Sequence, residues 1–342
     1  MRTRVGIRQD TRRQFRAAGQ RTHFDHVKAT TAIHAYSAPL TEKGLHVTRK
    51  DALLALTVVF IWGMNFAVIK FGLHNMPPLM LAGLRFVLVA FPAVFFVARP
   101  KIPLPLLLGY ALTISFGQFA FLFSALQFGM PAGLASVVLQ AQAFFTIVLG
   151  AFVFGERLQR KQIAGIALAV GGILVLIQGS INGQHVPLLG FMLTIAGAFS
   201  WASGNIFNKK IMQLPERPAT MSLVVWSGLV PIIPFMLASL IFDGPDVMAK
   251  SLIEIDLVTI SALIYLALLA TIVGYGIWGT LLGRYETWRV APLSLLVPVV
   301  GIASAKLLLN ENLSTLQLTG AALIVAGLYI NVFGLRLPGT QK

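Results

Sequence analysis

Residues 155–177 read GERLQRKQIAGIALAVGGILVLI, and 155 positions later residues 310–332 read NENLSTLQLTGAALIVAGLYINV. Eight of the 23 positions are identical without a gap: Glu156/Glu311, Leu158/Leu313, Gln162/Gln317, Gly165/Gly320, Ala167/Ala322, Leu168/Leu323, Val170/Val325 and Gly172/Gly327. Each copy is a polar turn that runs into an apolar stretch. A weaker echo links Phe60, Trp62 and Asn65 with Phe199, Trp201 and Asn205, the Trp–Asn spacing being three in one and four in the other. The chain reads as two related halves.

The surrounding sequence says what the halves are made of. Of 342 residues, 56% are hydrophobic and 11% charged, whereas a water-soluble domain carries about 25% charged residues. Too little polar surface is present to face water, so lipid must cover the chain. A helix crossing hydrocarbon needs about 20 mostly apolar residues. Ten such spans follow residue 51, at roughly 52–71, 78–98, 106–126, 132–154, 163–178, 188–207, 221–242, 257–282, 293–309 and 318–335, the fifth being short. Twelve Lys and Arg lie in one alternate set of connections and the tail: Arg99, Lys101, Arg157, Arg160, Lys161, Lys209, Lys210, Arg217, Arg284, Arg289, Arg336 and Lys342. The other set holds Lys250 alone, beside Asp243, Asp246, Glu254 and Asp256. Positive charge is retained on the cytoplasmic side of membranes, so both termini are expected there, Arg49 and Lys50 marking the N-terminal one.

The expected fold class is therefore an all-α polytopic membrane protein with ten transmembrane helices. Five spans per half is an odd number, so the second half inserts upside down, giving a 5+5 inverted-topology repeat. Such repeats characterise secondary transporters, with the substrate near the midplane between halves. The expected divisions are a basic disordered extension over 1–51, repeat 1 over 52–178, repeat 2 over 188–335 and a cytoplasmic tail over 336–342.

Several functions are excluded or disfavoured. Zero cysteines removes disulfides, thiolate metal sites, Fe–S ligation and a cysteine nucleophile. The net charge of +15 would suggest nucleic acid for a soluble chain, but eleven of the 27 Lys/Arg lie in residues 1–51. Seven arginines between Arg2 and Arg21 come with no apolar run or small-residue cleavage site, so the segment is not a secretory signal. No HExxH, no intramembrane aspartate pair and no GxxxxGK[ST] loop occurs. No enzyme activity, cofactor, metal or nucleic-acid partner is expected, and a homodimer is neither demanded nor forbidden.

Ionisable groups within spans are functional candidates because each is costly in hydrocarbon. Lys70 and Lys306 lie near span ends and are expected to snorkel to the headgroups. Arg85 lies seven residues into the second span, about 10 Å deep by helical rise, and should face protein or a wet cavity. No carboxylate falls inside a span; Glu156 and Glu311 follow equivalent spans and should cap the next helix or bind backbone. The uncharged polar candidates are Trp62 and Asn65, their counterparts Trp201 and Asn205, Gln118, Gln140 and Gln142, and Tyr275 with Trp278. Each serves equally as interhelical hydrogen-bond glue. The two Trp–Asn pairs are expected to approach one central cavity from opposite repeats. Pro231, Pro234 and Pro298 indicate kinks, and Gly165/Gly172 with Gly320/Gly327 a close-packing face.

Trp62-Gly63-Met64-Asn65-Phe66 with Lys70, Leu84-Arg85-Phe86, and Gly155-Glu156-Arg157-Leu158 followed by Gln162 and Gly165 resemble the EamA-type drug/metabolite transporters over about residues 52–335. Longer stretches, among them His74–Met80, Gln140–Phe145, Gly274–Gly279 and Tyr285–Arg289, resemble the enterobacterial exporters of cysteine and O-acetylserine within that family. The resemblance implies a secondary transporter of the bacterial inner membrane, working by alternating access, with membrane lipid and small zwitterionic metabolites as its partners. Export of hydrophobic drugs or aromatic metabolites is the alternative, favoured by a cavity walled by Trp62, Trp201, Tyr275 and Trp278; a receptor or scaffold without transport is a third. Residues 1–46 have no counterpart in those exporters. Val47 reads like a natural start, because GTG encodes valine internally and also initiates translation.

Overall fold

The structure, a computed structural model, describes residues 47–181, 187–285 and 287–334. The expected extension up to residue 46 and the tail at 336–342 lie outside the described residues. Among the described residues ten helices are long and apolar enough to cross a membrane: α1 (Arg49–Gly72), α2 (Pro78–Phe95), α3 (Leu104–Gln127), α4 (Ala132–Phe154), α5 (Arg160–Gly179), α6 (Leu188–Met212), α7 (Thr220–Phe242), α8 (Leu257–Arg284), α9 (Pro292–Leu309) and α10 (Thr315–Phe333). The fifth is longer than its apolar run because Arg160 and Lys161 form its first turn. A short helix, Pro245–Ile253, joins α7 to α8.

Local chemistry sets the ends. The Thr48 side chain accepts the Asp51 N–H at the start of α1, Asp256 accepts from Thr259 at α8, and Ser314 with Gln317 forms a capping box on α10. The Thr259 N–H holds the Asp256 carboxyl below the ordinary carboxylate range. The first residues of the two repeated stretches share one task. Gly155 (φ 67°) ends α4 and Asn310 (φ 54°) ends α9, each in the left-handed conformation that closes a helix.

Six helices depart from regular geometry. Helix α2 ends its α turns at Ala90 and closes with a 3-10 turn over Ala93–Phe95. Pro231 breaks α7 between Leu229 and Ile232, and α9 opens with 3-10 turns over Ala291–Leu296 before Pro298. The fourth breaks at Leu139–Gln140. Helices α3 and α8 contain π turns, over Ala111–Gly117 and Tyr265–Val273, near equivalent places in the two repeats. Such turns are wider than α turns and cluster at functional sites.

The expected glycine face packs α5 against α10. A Cβ on Gly165 would sit 2.6 Å from the Gly327 carbonyl oxygen, and one on Gly172 would sit 2.7 Å from that of Gly320. Gly165 is the repeat mate of Gly320, and Gly172 of Gly327, so Gly165 touches the mate of Gly172 and Gly172 touches the mate of Gly165. That reciprocity is the mark of a two-fold contact. The pseudo-symmetry axis passes between α5 and α10.

Ion pairs sort the connections onto two ends of the bundle. Lys101–Glu216 (3.6 Å), Arg284–Asp51 (3.0 Å) and Lys209–Glu156 lie at one end, hereafter the basic end. Lys70–Glu311 (3.0 Å) and the Asn75 amide donating to the Glu254 carbonyl (2.6 Å) lie at the other. Phe123, Phe191, Phe235, Met80 and Leu81 fill the interior. Phe96, Phe152, Phe242, Ile253 and Leu307 stand exposed on the outside, as a lipid-facing surface requires.

The glycine seam makes a paired prediction. Gly172→Leu should abolish a monodisperse, folded protein in detergent, because the side chain meets backbone. Gly171→Leu, one residue away with open space at its Cβ, should elute normally by size exclusion.

Candidate functional site

Arg85 is 2% exposed, in the interior rather than at a headgroup. Its Nε and Nη2 donate to Thr271 Oγ1 at 3.3 and 2.9 Å. Thr271 in turn donates to the Leu266 carbonyl at 2.8 Å, so its single proton is spent and both its lone pairs face the guanidinium. Thr271 sits in the π turn of α8. The guanidinium carbon lies 4.2 Å from the Phe119 ring centroid, a cation–π contact. Nη1 is buried and has no hydrogen-bond partner among the described residues. Arg85 lines a cavity of about 20 Å³ with Tyr110, Ser115, Ser227, Thr271 and Tyr275. Ser115 belongs to the π turn of α3, so both π turns line the cavity at Arg85.

Three of the four aromatic residues expected to wall one cavity meet beside this site. Trp62 lies 5.4 Å from Tyr275 and 5.3 Å from Trp278, ring centroid to centroid. Its indole N–H donates to the Ala270 carbonyl at 3.0 Å, within the π turn of α8. In the other repeat Ser200 of α6 donates to the Thr113 carbonyl at 2.7 Å, within the π turn of α3. The first helix of each repeat thus binds a carbonyl in the π turn of the other repeat's third helix.

The remaining candidates separate. Asn205 donates to Gln142 Oε1 at 2.9 Å and to Thr146 Oγ1 at 3.1 Å. It lines a larger cavity, about 380 Å³, with Thr146, Gly150, Glu156, Gln162 and Lys209. Trp201 packs instead against hydrophobic residues that include Tyr110 and Ile114. The two Trp–Asn pairs therefore do not line one cavity as expected. Their spacing of three against four turns Asn205 to a different face from Asn65 relative to the tryptophans. Asn65 Oδ1 and Gln118 Oε1 are buried acceptors with no hydrogen-bond partner among the described residues. Gln140 is half-buried at the break in α4.

One reading of a charged residue changes: Lys70 does not snorkel but pairs with Glu311, only a quarter of its side chain remaining exposed. Glu311 binds backbone, the second of its two expected roles, accepting the Ala132 and Gly133 N–H groups at the start of α4 at 3.0 and 3.1 Å. Thr271, Ser115, Ser227 and Thr146 were not singled out from sequence, because isolated hydroxyls in apolar helices carry no pattern. Lys209 did carry one: it lies 139 residues after Lys70, the offset that separates Trp62 from Trp201.

The sequence matches the EamA-like transporter family twice, over residues 49–178 and 188–333. The chain belongs to that family. Among relatives of this EamA-like transporter, one from Salmonella typhimurium is 72% identical over 296 residues, covering 86% of this chain and 99% of that one. Another, from Escherichia coli, is 75% identical over 290 residues, covering 85% and 97%. Both are named probable amino-acid metabolite efflux pumps. A solved crystal structure with 20% sequence identity aligns at a TM-score of 0.54, covering 84% of this chain and 99% of that one, and supports the fold.

Thr271→Val keeps the shape and removes the one hydrogen-bond acceptor that Arg85 has among the described residues. Leaving a buried charged donor unmatched costs about 1–3 kcal/mol, which should appear as a lower unfolding midpoint in a thermal or denaturant assay of the purified protein.

Proposed function

We propose that this transporter exports small amino-acid metabolites across the bacterial inner membrane by alternating access, cysteine and O-acetylserine being the expected cargo. The observation that carries the reading is the Arg85 guanidinium, buried in the bundle with Nη1 unmatched and hydroxyls around it. An α-carboxylate is the ligand whose two oxygens suit such a fork. No carboxylate of the described chain bonds to Arg85, so the position for one is not taken by the protein itself. The identity to proteins named amino-acid metabolite efflux pumps supports the class of cargo. The Lys/Arg asymmetry supports placing both termini and the basic end in the cytoplasm.

The cavity of about 20 Å³ holds roughly one water molecule. Substrate binding at Arg85 therefore requires the surrounding helices to separate, as alternating access supposes. The aromatic-cargo alternative needs a cavity walled by Trp62, Trp201, Tyr275 and Trp278; of these, Tyr275 alone lines either cavity.

Arg85→Lys keeps the charge and loses the fork. Cysteine flux from proteoliposomes should fall about tenfold or more at normal protein abundance. Unchanged flux per molecule in both Arg85→Lys and Arg85→Ala would remove Arg85 from the site.

Coupling makes a second prediction. No carboxylate lies along the middle of any described span, so the usual Asp/Glu proton relay is missing and exchange or facilitated efflux is expected. Efflux should persist when a protonophore is added while the cysteine gradient is held constant; its abolition would refute this.

A further inference from the structure

The pairs Lys70–Glu311 and Lys209–Glu156 are repeat mates at opposite ends of the bundle, and their surroundings differ. Glu311 receives Lys70 and two backbone N–H groups of α4, leaving 15% of its side chain exposed. The start of α4 is packed there against α9, the Gly133 Cβ position lying 3.2 Å from the Ala305 side chain. That end is shut by a helix. At the basic end Glu156 has Lys209 as its hydrogen-bond partner, and 51% of its side chain and 41% of that of Lys209 remain exposed. Both residues line the cavity of about 380 Å³. Its size lies in the range of small-molecule sites, about 300–1,000 Å³, whereas the space at Arg85 does not.

An exposed ion pair at the edge of a chamber is weakly held. Such pairs contribute little net stability because water solvates the separated charges well. An amino-acid zwitterion presents the same two charges a few ångströms apart, so it can replace each partner of the pair without leaving an unmatched charge. Its carboxylate fits the Lys209 ammonium, and its own ammonium fits the Glu156 carboxylate. Asn205, held by Gln142 and Thr146, contributes a polar wall for the substrate's side chain. A neutral hydrophobic cargo would gain nothing from this exchange.

We propose that the basic-end chamber is a loading site for zwitterionic amino acids, in which Lys209 takes the substrate carboxylate and Glu156 its ammonium. The proposal rests on the amino-acid export reading and adds a site separate from Arg85.

The test measures equilibrium binding to the full-length protein in nanodiscs, using cysteine, cysteamine (no carboxylate) and 3-mercaptopropionate (no ammonium). Reductant can be present throughout, because the protein has no cysteine. Lys209→Gln should weaken cysteine binding about tenfold and should not weaken that of cysteamine, which no longer competes with Lys209 for Glu156. Glu156→Gln should weaken cysteine binding to a similar extent and should not weaken that of 3-mercaptopropionate. If either single variant fails to elute as a folded species, the reversed pair Lys209→Glu with Glu156→Lys should fold and recover cysteine binding. Equal loss for all three ligands, or cysteine affinity unaltered in both variants, would overturn the proposal even where flux is reduced. In those outcomes wild-type cysteine efflux still stands as the measure of the export reading; absence of both binding and efflux in the wild type would overturn the two together.

Discussion

Hydrocarbon offers no hydrogen bonds, so every polar group carried into the bundle has to find its partner within the protein. That constraint makes the spans helical and gives their irregularities meaning. The π turns of α3 and α8 hold carbonyls that accept Ser200 and Trp62 from neighbouring helices. The same turn in α8 places the Thr271 hydroxyl where Arg85 can use it. Among the described residues the protein's own pairing falls short at Asn65, Gln118 and Thr259 and, with a full charge, at Arg85, where Nη1 is left over. A buried unmatched donor is costly, and its retention is explained if another molecule supplies the acceptor during transport.

One repeat inserted in both directions supplies the architecture, and the two copies are not in the same state. The α5–α10 glycine seam is reciprocal, as a two-fold contact between rigid backbones must be. Away from the seam the symmetry is broken. One Lys–Glu pair is buried beneath the first turn of α4, while its mate lies exposed on a chamber. A protein that opens to one side at a time requires such inequality at any instant. The repeat places a Lys–Glu pair at each end of the bundle.

The amino-acid sequence by itself determined the ten spans, the repeat with its inversion, and the depth of Arg85. Lipid selects for apolar length and for the placement of Lys and Arg, and both are written along the chain one residue at a time. The same is true of Gly155 and Asn310, whose helix-ending role follows from local backbone geometry, and of the glycines whose seven-residue spacing marks one face. What only the tertiary structure decided is which helix each polar group meets. Lys70 met Glu311, 241 residues away, and not a headgroup. Arg85 met Thr271, and Asn205 met Gln142 and Thr146 rather than joining Asn65 at a shared cavity. A π turn rotates every residue after it about the helix axis, and a break such as that at Gln140 re-aims the following turns. Those rotations arise from packing between helices far apart in the chain, so no local pattern records them.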